Sequence, residues 1–227
     1  MKTFSIAIDG PAGAGKSTIA KRLAKELGYC YVDTGAIYRT VAYFLDLLGV
    51  SPKDVDGVER YIDELTIYIE YDENGLQHMI MNGMDVTGDI RSQDISQKAA
   101  LVSAHAVVRE VLLDMQRDVA RKNNVIMDGR DIGTVVLPNA DVKIFLTASP
   151  EVRAKRRTDE LTAKGQKAVY ETILKEIIQR DYQDSHRLVA PLKQADDAVL
   201  VDTSNLNIEE VMETIKGIVR ERIALRA

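Results

Sequence analysis

Residues Gly10 to Ser17 read Gly-Pro-Ala-Gly-Ala-Gly-Lys-Ser and follow the apolar run Phe4-Ser5-Ile6-Ala7-Ile8. This is the G-x-x-x-x-G-K-[ST] spacing, set between a strand pattern and a helical one. A backbone with few bulky side chains can curl until several N–H groups point at one anion. Gly10, Ala12, Gly13, Ala14 and Gly15 supply that backbone. Lys16 adds a mobile positive charge, and Ser17 offers a hydroxyl to a magnesium ion. The stretch from Thr18 to Leu27 has a helical pattern, so Ser17 and Thr18 lie at a helix N-terminus that favours phosphate. A bare glycine-rich turn would not need strand, loop, Lys-Ser pair and helix in register. The constellation implies binding of a nucleoside triphosphate.

Other charged residues fall where such a site would use them. One strand pattern ends in Asp33-Thr34-Gly35, followed by Tyr38-Arg39, and another ends in Asp128-Gly129-Arg130-Asp131. In open α/β sheets, ligands bind beyond the carboxyl ends of the strands, so both clusters share an edge with the Gly10–Ser17 loop. Asp128 has two readings: it orients magnesium-bound water, or it holds nearby backbone. Arg153 and Arg157 stand four apart on a helical pattern and share a face. Arg180, Asp184 and Arg187 fall at i, i+4 and i+7, again on one side if the helix persists. Arginine on a helix is usually just a wetted surface. Beside a triphosphate loop it has another use, because guanidinium binds phosphate oxygens in bidentate fashion and phosphoryl transfer needs cations. His78, His105 and His186 share no spacing and receive no catalytic role.

These residues require an alternating scaffold. Short apolar runs at Thr3–Asp9, Tyr29–Val32, Val125–Asp128, Val142–Leu146 and Ala198–Val201 alternate with longer helical patterns. That is the α/β signature of a parallel sheet with crossover helices, its strands covered on both faces. Helices are expected at Lys16–Leu27, Ala36–Leu48, Gln93–Arg121, Pro150–Ala163, Val169–Tyr182 and Ile208–Leu225. Ser149-Pro150 is a helix-start signal, and Asn207 with Glu210 resembles a capping box. One stretch breaks the rhythm. Leu65, Ile67, Ile69 and Tyr71 alternate with Thr66, Tyr68 and Glu70, and Asn74-Gly75 and Asn82-Gly83 are hairpin-turn pairs. A small antiparallel insertion is expected at about residues 62–90, with Met79, Met81 and Met84 as packing filler.

With 227 residues the chain has length for one large domain, or a domain with an insertion. A net charge of -5 argues against wholesale nucleic-acid binding. The single cysteine, Cys30, has no disulfide partner within the chain and reads as a structural thiol in a strand. No signal-peptide layout and no apolar run of spanning length is present, so a cytoplasmic protein is expected.

Taken together, the motifs resemble those of the bacterial cytidylate kinases, within the nucleoside monophosphate kinases. The likeness is carried by Ile8-Asp9-Gly10-Pro11 with the phosphate loop, Asp33-Thr34-Gly35-Ala36-Ile37-Tyr38-Arg39, Met127-Asp128-Gly129-Arg130-Asp131-Ile132-Gly133-Thr134, Lys143-Ile144-Phe145-Leu146 and Arg187-Leu188-Val189-Ala190-Pro191-Leu192. They span nearly the whole chain in the family's order. The resemblance implies a P-loop three-layer α/β fold with a five-stranded parallel sheet. It implies a single kinase chain over residues 1–227 with no separate second domain, a monophosphate-binding insertion at 62–90, and a lid at 153–167 with Gly165 as a hinge. It implies transfer of the terminal phosphoryl of ATP to CMP or dCMP with Mg2+. Thr34, Arg39, Arg130 and Arg187 would surround the acceptor's phosphate, Arg180 and Asp184 its sugar, and Arg109 and Asp131 its base. Analogy with the wider kinase group puts Arg153 near the adenine and Arg157 near the transferring phosphates. Lys16, Arg39, Arg130, Arg157 and Arg187 are then the catalytic cations.

The base assignment has its own chemistry. Cytosine offers an amino donor and a ring-nitrogen acceptor, which suit a carboxylate and a guanidinium; uracil reverses both. Unpaired polar groups discriminate strongly. The family often carries a serine nine positions before the base-reading arginine; here Ala100 stands there, which implies a weakened preference for cytosine. A monophosphate is already a nucleophile near neutral pH, so positioning and electrostatics suffice without a base. Two rivals remain: a kinase for UMP, AMP or shikimate, and a nucleotide-dependent switch without transfer. No nucleic-acid or membrane partner is expected, and a monomer is the default.

Overall fold

The computed structural model describes residues 3–225; residues 1, 2, 226 and 227 of the expected single span lie outside the described residues. A five-stranded parallel sheet has the order β2-β6-β1-β7-β8, formed by β1 (Ser5–Asp9), β2 (Cys30–Asp33), β6 (Val125–Gly129), β7 (Val142–Thr147) and β8 (Val199–Asp202). A separate three-stranded sheet, β3-β4-β5, comprises Ile67–Tyr71, Gln77–Met81 and Met84–Asp85. The helices are α1 (Lys16–Leu27), α2 (Thr34–Leu47), α3 (Val55–Tyr61), α4 (Gln93–Val102), α5 (Ala106–Lys122), α6 (Pro150–Ala163), α7 (Tyr170–His186) and α8 (Ile208–Ala224). The backbone divides into two compact units. One is Tyr29–Val125 with Thr3; the other is Phe4–Gly28 with the chain from Ile126 onward.

In the second unit β1 and β7 pair in parallel, Ile6 to Val142 through Asp9 to Phe145, and β7 pairs with β8 in the same sense. Ile6, Ile8, Ile126, Met127, Ile144 and Leu146 are fully buried or nearly so. Strands buried on both faces need Val and Ile rather than an alternating pattern, and β6 is buried at all five positions. The expectation of two covered faces fails at β8, where Val199 and Leu200 are exposed. It is the edge strand of its sheet, so its flank has no neighbour. Helix starts follow the caps in the sequence. Ser149 Oγ accepts from Val152 N–H, with Pro150 at the first turn, and Asn207 and Glu210 exchange both capping-box bonds.

In the first unit α2 and α4 pack together around Ile37, Val41, Leu45 and Val102, all buried. The helix expected over Gln93–Arg121 is two helices. At Ser103 the hydroxyl donates back to the Ala100 carbonyl, and a His105 ring nitrogen is bonded to the carbonyl of Pro52. Those anchors break a run that contains no glycine or proline. The antiparallel insertion is present. Asn82 and Gly83 both take positive φ, as a two-residue hairpin turn requires. The Asn74-Gly75 turn is wider: the Asp72 carboxylate accepts from Asn74 and Leu76 N–H, and Gly75 takes φ +74. Met79 and Met81 fill the small sheet's buried face, whereas Met84 is exposed. Helix α3 was not expected; Gly57 in its first turn masks the Asp54 cap that accepts from Gly57 N–H.

Candidate active site

Strands β1, β6 and β7 run the same way, so their carboxyl ends open onto one edge. The loop from Gly10 to Ser17 leaves β1 there. A β-carbon on Gly10, at φ +147, would run into the backbone carbonyl of Leu146, so only glycine permits this turn. Gly15, at φ +92, delivers the chain into α1. Lys16 is buried and its Nζ donates to the Pro11 carbonyl at 2.8 Å. Burial, reinforced by the nearby Arg130 cation, lowers its pKa to about 7, against the pull of Asp128, Asp9 and Asp184. An anion arriving in the loop would reverse that balance and hold the ammonium charged.

Ser17 Oγ donates to Asp128 Oδ2 at 2.9 Å. Two hard oxygens in contact at the end of the phosphate loop are the donor chemistry that magnesium takes: Ser17 would hold the ion and Asp128 would orient its water. Among the described residues no group of three His, Cys, Asp or Glu forms a separate metal cage.

Beyond β6 the candidate acceptor residues of this unit pair with one another. Arg130 Nε donates to Asp184 Oδ2 at 2.7 Å, and an Arg187 terminal nitrogen donates to Asp131 Oδ1 at 3.2 Å. Arg187 Nε also donates to the carbonyl of Ala190 at 2.6 Å, within a turn where Ala190 takes φ +48. Burial alone would raise the Asp184 carboxyl, but the cations of Arg130, Arg180 and Arg187 outweigh it and hold it low. Arg130, Asp131, Arg180, Asp184 and Arg187 are thus one electrostatic group, assembled from two stretches of chain. Arg157 is not among them: it is half-exposed and pairs with Glu160 at 2.9 Å. Arg153 is buried and bonded to the loop itself.

Asp9 is the site residue whose role the sequence hides. Its two carboxylate oxygens accept from consecutive backbone N–H groups, Ile132 and Gly133, each at 2.7 Å. A β-carbon on Gly133 would stand 3.3 Å from that carboxylate and 3.2 Å from the Lys143 side chain, so any other residue would crowd both. Asp9 therefore ties the strand that launches the phosphate loop to the turn that carries Arg130 and Asp131. Burial pushes its pKa up to about 6, with Asp131 adding to the rise and the two N–H bonds and Lys16 opposing it. Asp9→Asn keeps the size but presents one carbonyl oxygen to two donors. The expected loss in kcat/KM for the acceptor is roughly ten- to a hundredfold, the range for a hydrogen bond to a charged group, measured by initial rates.

The other unit holds the remaining expected residues. Thr34 is buried at the first position of α2. Asp33 caps that helix by accepting from Ala36 N–H, and its other oxygen accepts from Arg39 at 2.9 Å. The Gln77 side-chain amide brackets Asp33, accepting from its N–H at 2.7 Å and donating to its carbonyl at 3.3 Å. The inserted sheet thus fixes the residue that orients Arg39. Arg109 is buried, donates to the Ser103 carbonyl at 3.2 Å, and lies 5.5 Å from the Tyr38 ring centroid. Ala100 offers no side-chain polar atom there.

A parallel sheet whose edge carries a Gly-Lys-Ser anion loop, a Ser–Asp pair and a group of arginines defines a phosphoryl-transferring nucleotide enzyme. The cytidylate kinase family model matches residues 6–221. A cytidylate kinase of Clostridium tetani (strain Massachusetts / E88) is 48% identical, covering 96% of this chain and 94% of its own. One from Exiguobacterium sp. (strain ATCC BAA-1283 / AT1b) is 48% identical over 97% and 98%. Among solved structures, a gluconokinase from Sinorhizobium meliloti 1021 aligns with a TM-score of 0.47 at 16% identity, over 98% of this chain and 95% of that one. The chain belongs to the cytidylate kinase family and is a nucleoside monophosphate kinase.

Proposed function

We propose that the residues described above carry out in-line transfer of the terminal phosphoryl of ATP to CMP or dCMP, the reaction of the family. The observation that carries the reading is the placement of Lys16 at the loop carbonyl, within electrostatic reach of Arg130, Asp128, Asp9 and Asp184. The loop residues Gly10, Ala12, Gly13, Ala14, Gly15, Lys16, Ser17 and Thr18 take the triphosphate. Ser17 would hold Mg2+, with Asp128 acting through water, and the ion would supply positive charge to the phosphates. Arg130 and Arg187 receive the acceptor's phosphate; for Thr34 and Arg39, in the other unit, that role rests on the family resemblance alone. Arg130 and Arg187 exchange their internal carboxylates for phosphate oxygens, which a guanidinium can bind in bidentate fashion. Asp184 and Arg180 address the sugar, and Asp131 the base; for Arg109, in the other unit, base reading rests on the family resemblance alone. Arg157 reaches the transferring phosphates by leaving Glu160, an exposed partner that holds it weakly. Closure of the part of the 153–167 lid beyond the buried Arg153 excludes water and so suppresses hydrolysis. The protein acts as a monomer in the cytoplasm, with no nucleic-acid or membrane partner; no helix of the described residues is long and apolar enough to cross a membrane.

ADP release with CMP, dCMP, UMP, AMP and shikimate tests the reading. Rapid turnover of CMP and dCMP, with UMP slower and AMP and shikimate inert, is expected. Preference for AMP or shikimate, or tight ATP binding with no transfer, contradicts it. Ala100→Ser restores a hydroxyl near the base. It is expected to raise the CMP-over-UMP ratio of kcat/KM by about two- to tenfold, the worth of one neutral hydrogen bond.

A further inference from the structure

Arg153 lies in the first turn of α6 and is only 2% exposed. All three of its guanidinium nitrogens are engaged. Nε donates to the Ala148 carbonyl at 2.8 Å, and one terminal nitrogen donates to the Ala12 carbonyl at 3.1 Å and to Asp181 Oδ1 at 3.0 Å. The other donates to Asp181 Oδ2 at 2.5 Å. The pair with Asp181 is bidentate, the strongest form of this contact. A β-carbon on Gly13 would touch the Arg153 stem at 3.4 Å, so the stem also packs against the loop.

A trans peptide is planar, so its carbonyl and the next N–H point opposite ways. A cation holding the Ala12 carbonyl on one side therefore commits the Gly13 N–H to the other. Lys16 acts likewise on the neighbouring peptide through the Pro11 carbonyl. Two consecutive peptides of the anion loop are thus each set from the carbonyl side by a buried basic side chain. Lys16 is free to leave for a phosphate. Arg153 is held by Ala148 and Asp181.

We propose that Arg153 is a positioning residue for the donor's phosphates: it presets the Ala12–Gly13 peptide of the loop, with Asp181 anchoring it from behind, and it does not read the adenine. This rests on the reading of Gly10–Ser17 as the triphosphate site. It reassigns the role that analogy with other kinases implies for Arg153, and it gives Asp181 a role that no motif marks.

The test compares Arg153→Lys and Asp181→Asn with the wild type. KM is measured for ATP, GTP and CMP, and equilibrium affinity for inorganic tripolyphosphate, which has no base. Arg153→Lys is expected to raise KM for ATP and GTP by the same factor, about tenfold, and to weaken tripolyphosphate equally, with KM for CMP unchanged. Asp181→Asn is expected to shift the same three quantities in the same direction by a smaller factor. A changed ATP-to-GTP ratio with tripolyphosphate affinity intact would overturn the proposal in favour of base reading. Tighter ATP binding by Asp181→Asn would also overturn it, because a released arginine would then be serving the nucleotide directly. If Arg153→Lys fails to fold, Asp181→Asn alone decides between these outcomes. Failure of the wild type to bind tripolyphosphate at all would instead sink the reading of the loop, and the proposal with it.

Discussion

Lys16→Ala is expected to lose phosphoryl transfer while remaining folded. The amine is buried and touches a backbone carbonyl, beside the Arg130 cation. In the free protein that is an unfavourable place for a charge, so truncation removes little that holds the fold. The melting temperature should stay within a few degrees of the wild type. In the working complex the same ammonium meets the charge of the migrating group, where one donor is worth about 10²–10³ in rate. The kcat should fall by at least that factor, and wild-type turnover by the variant would refute the assignment. A second readout uses protons. With a pKa of about 7, most of Lys16 is neutral at pH 8 in the free protein, and a bound polyphosphate raises it. ATP binding at pH 8, followed by calorimetry in buffers of different ionisation enthalpy, should therefore take up close to one proton. No uptake would mean that the amine does not meet the phosphates.

The second large effect concerns Arg187 and Asp131, whose side chains are 7% and 6% exposed. Arg187→Met leaves the Asp131 carboxylate buried without that guanidinium, and breaking such a pair costs about 3–5 kcal/mol. Activity should fall as well, because the acceptor's phosphate loses a cation. The two losses separate in the double variant. Arg187→Met with Asp131→Leu replaces both charges with apolar groups, an exchange that is often neutral. Its melting temperature should recover most of the drop while CMP phosphorylation stays lost. If the double variant regains activity along with stability, the pair is only a structural strut. If Arg187→Met alone melts like the wild type, the ion pair does not form in solution.

Local features of the fold were legible because their causes are local. The phosphate loop sits between its own strand and helix, and α1 begins at Lys16 as its pattern implies. The caps at Ser149 and Asn207 set the starts of α6 and α8 because the bonding partners lie three residues away. What stayed hidden depends on distant partners. The spacing of Arg153 and Arg157 suggests one shared face, yet the first is buried against the loop and the second sits half-exposed on Glu160. Which carboxylate an arginine meets is decided by tertiary packing: Asp181 lies 28 residues from Arg153, and Asp131 lies 56 from Arg187. Asp9 shows the same limit. The sequence gives it only as part of a motif at a strand end, and its two backbone partners are more than a hundred residues away. The break between α4 and α5 follows from contacts at Ser103 and His105, which helical periodicity does not report.

A crystal structure with a bisubstrate analogue, cytidine and adenosine joined through a chain of phosphates, tests most directly whether these cations serve the transferring group. Lys16 Nζ should have left the Pro11 carbonyl, and Arg130 and Arg187 should have turned from Asp184 and Asp131, all three within hydrogen-bonding distance of phosphate oxygens. A bound analogue whose phosphates lie beyond reach of all three, with the internal ion pairs intact, would contradict it.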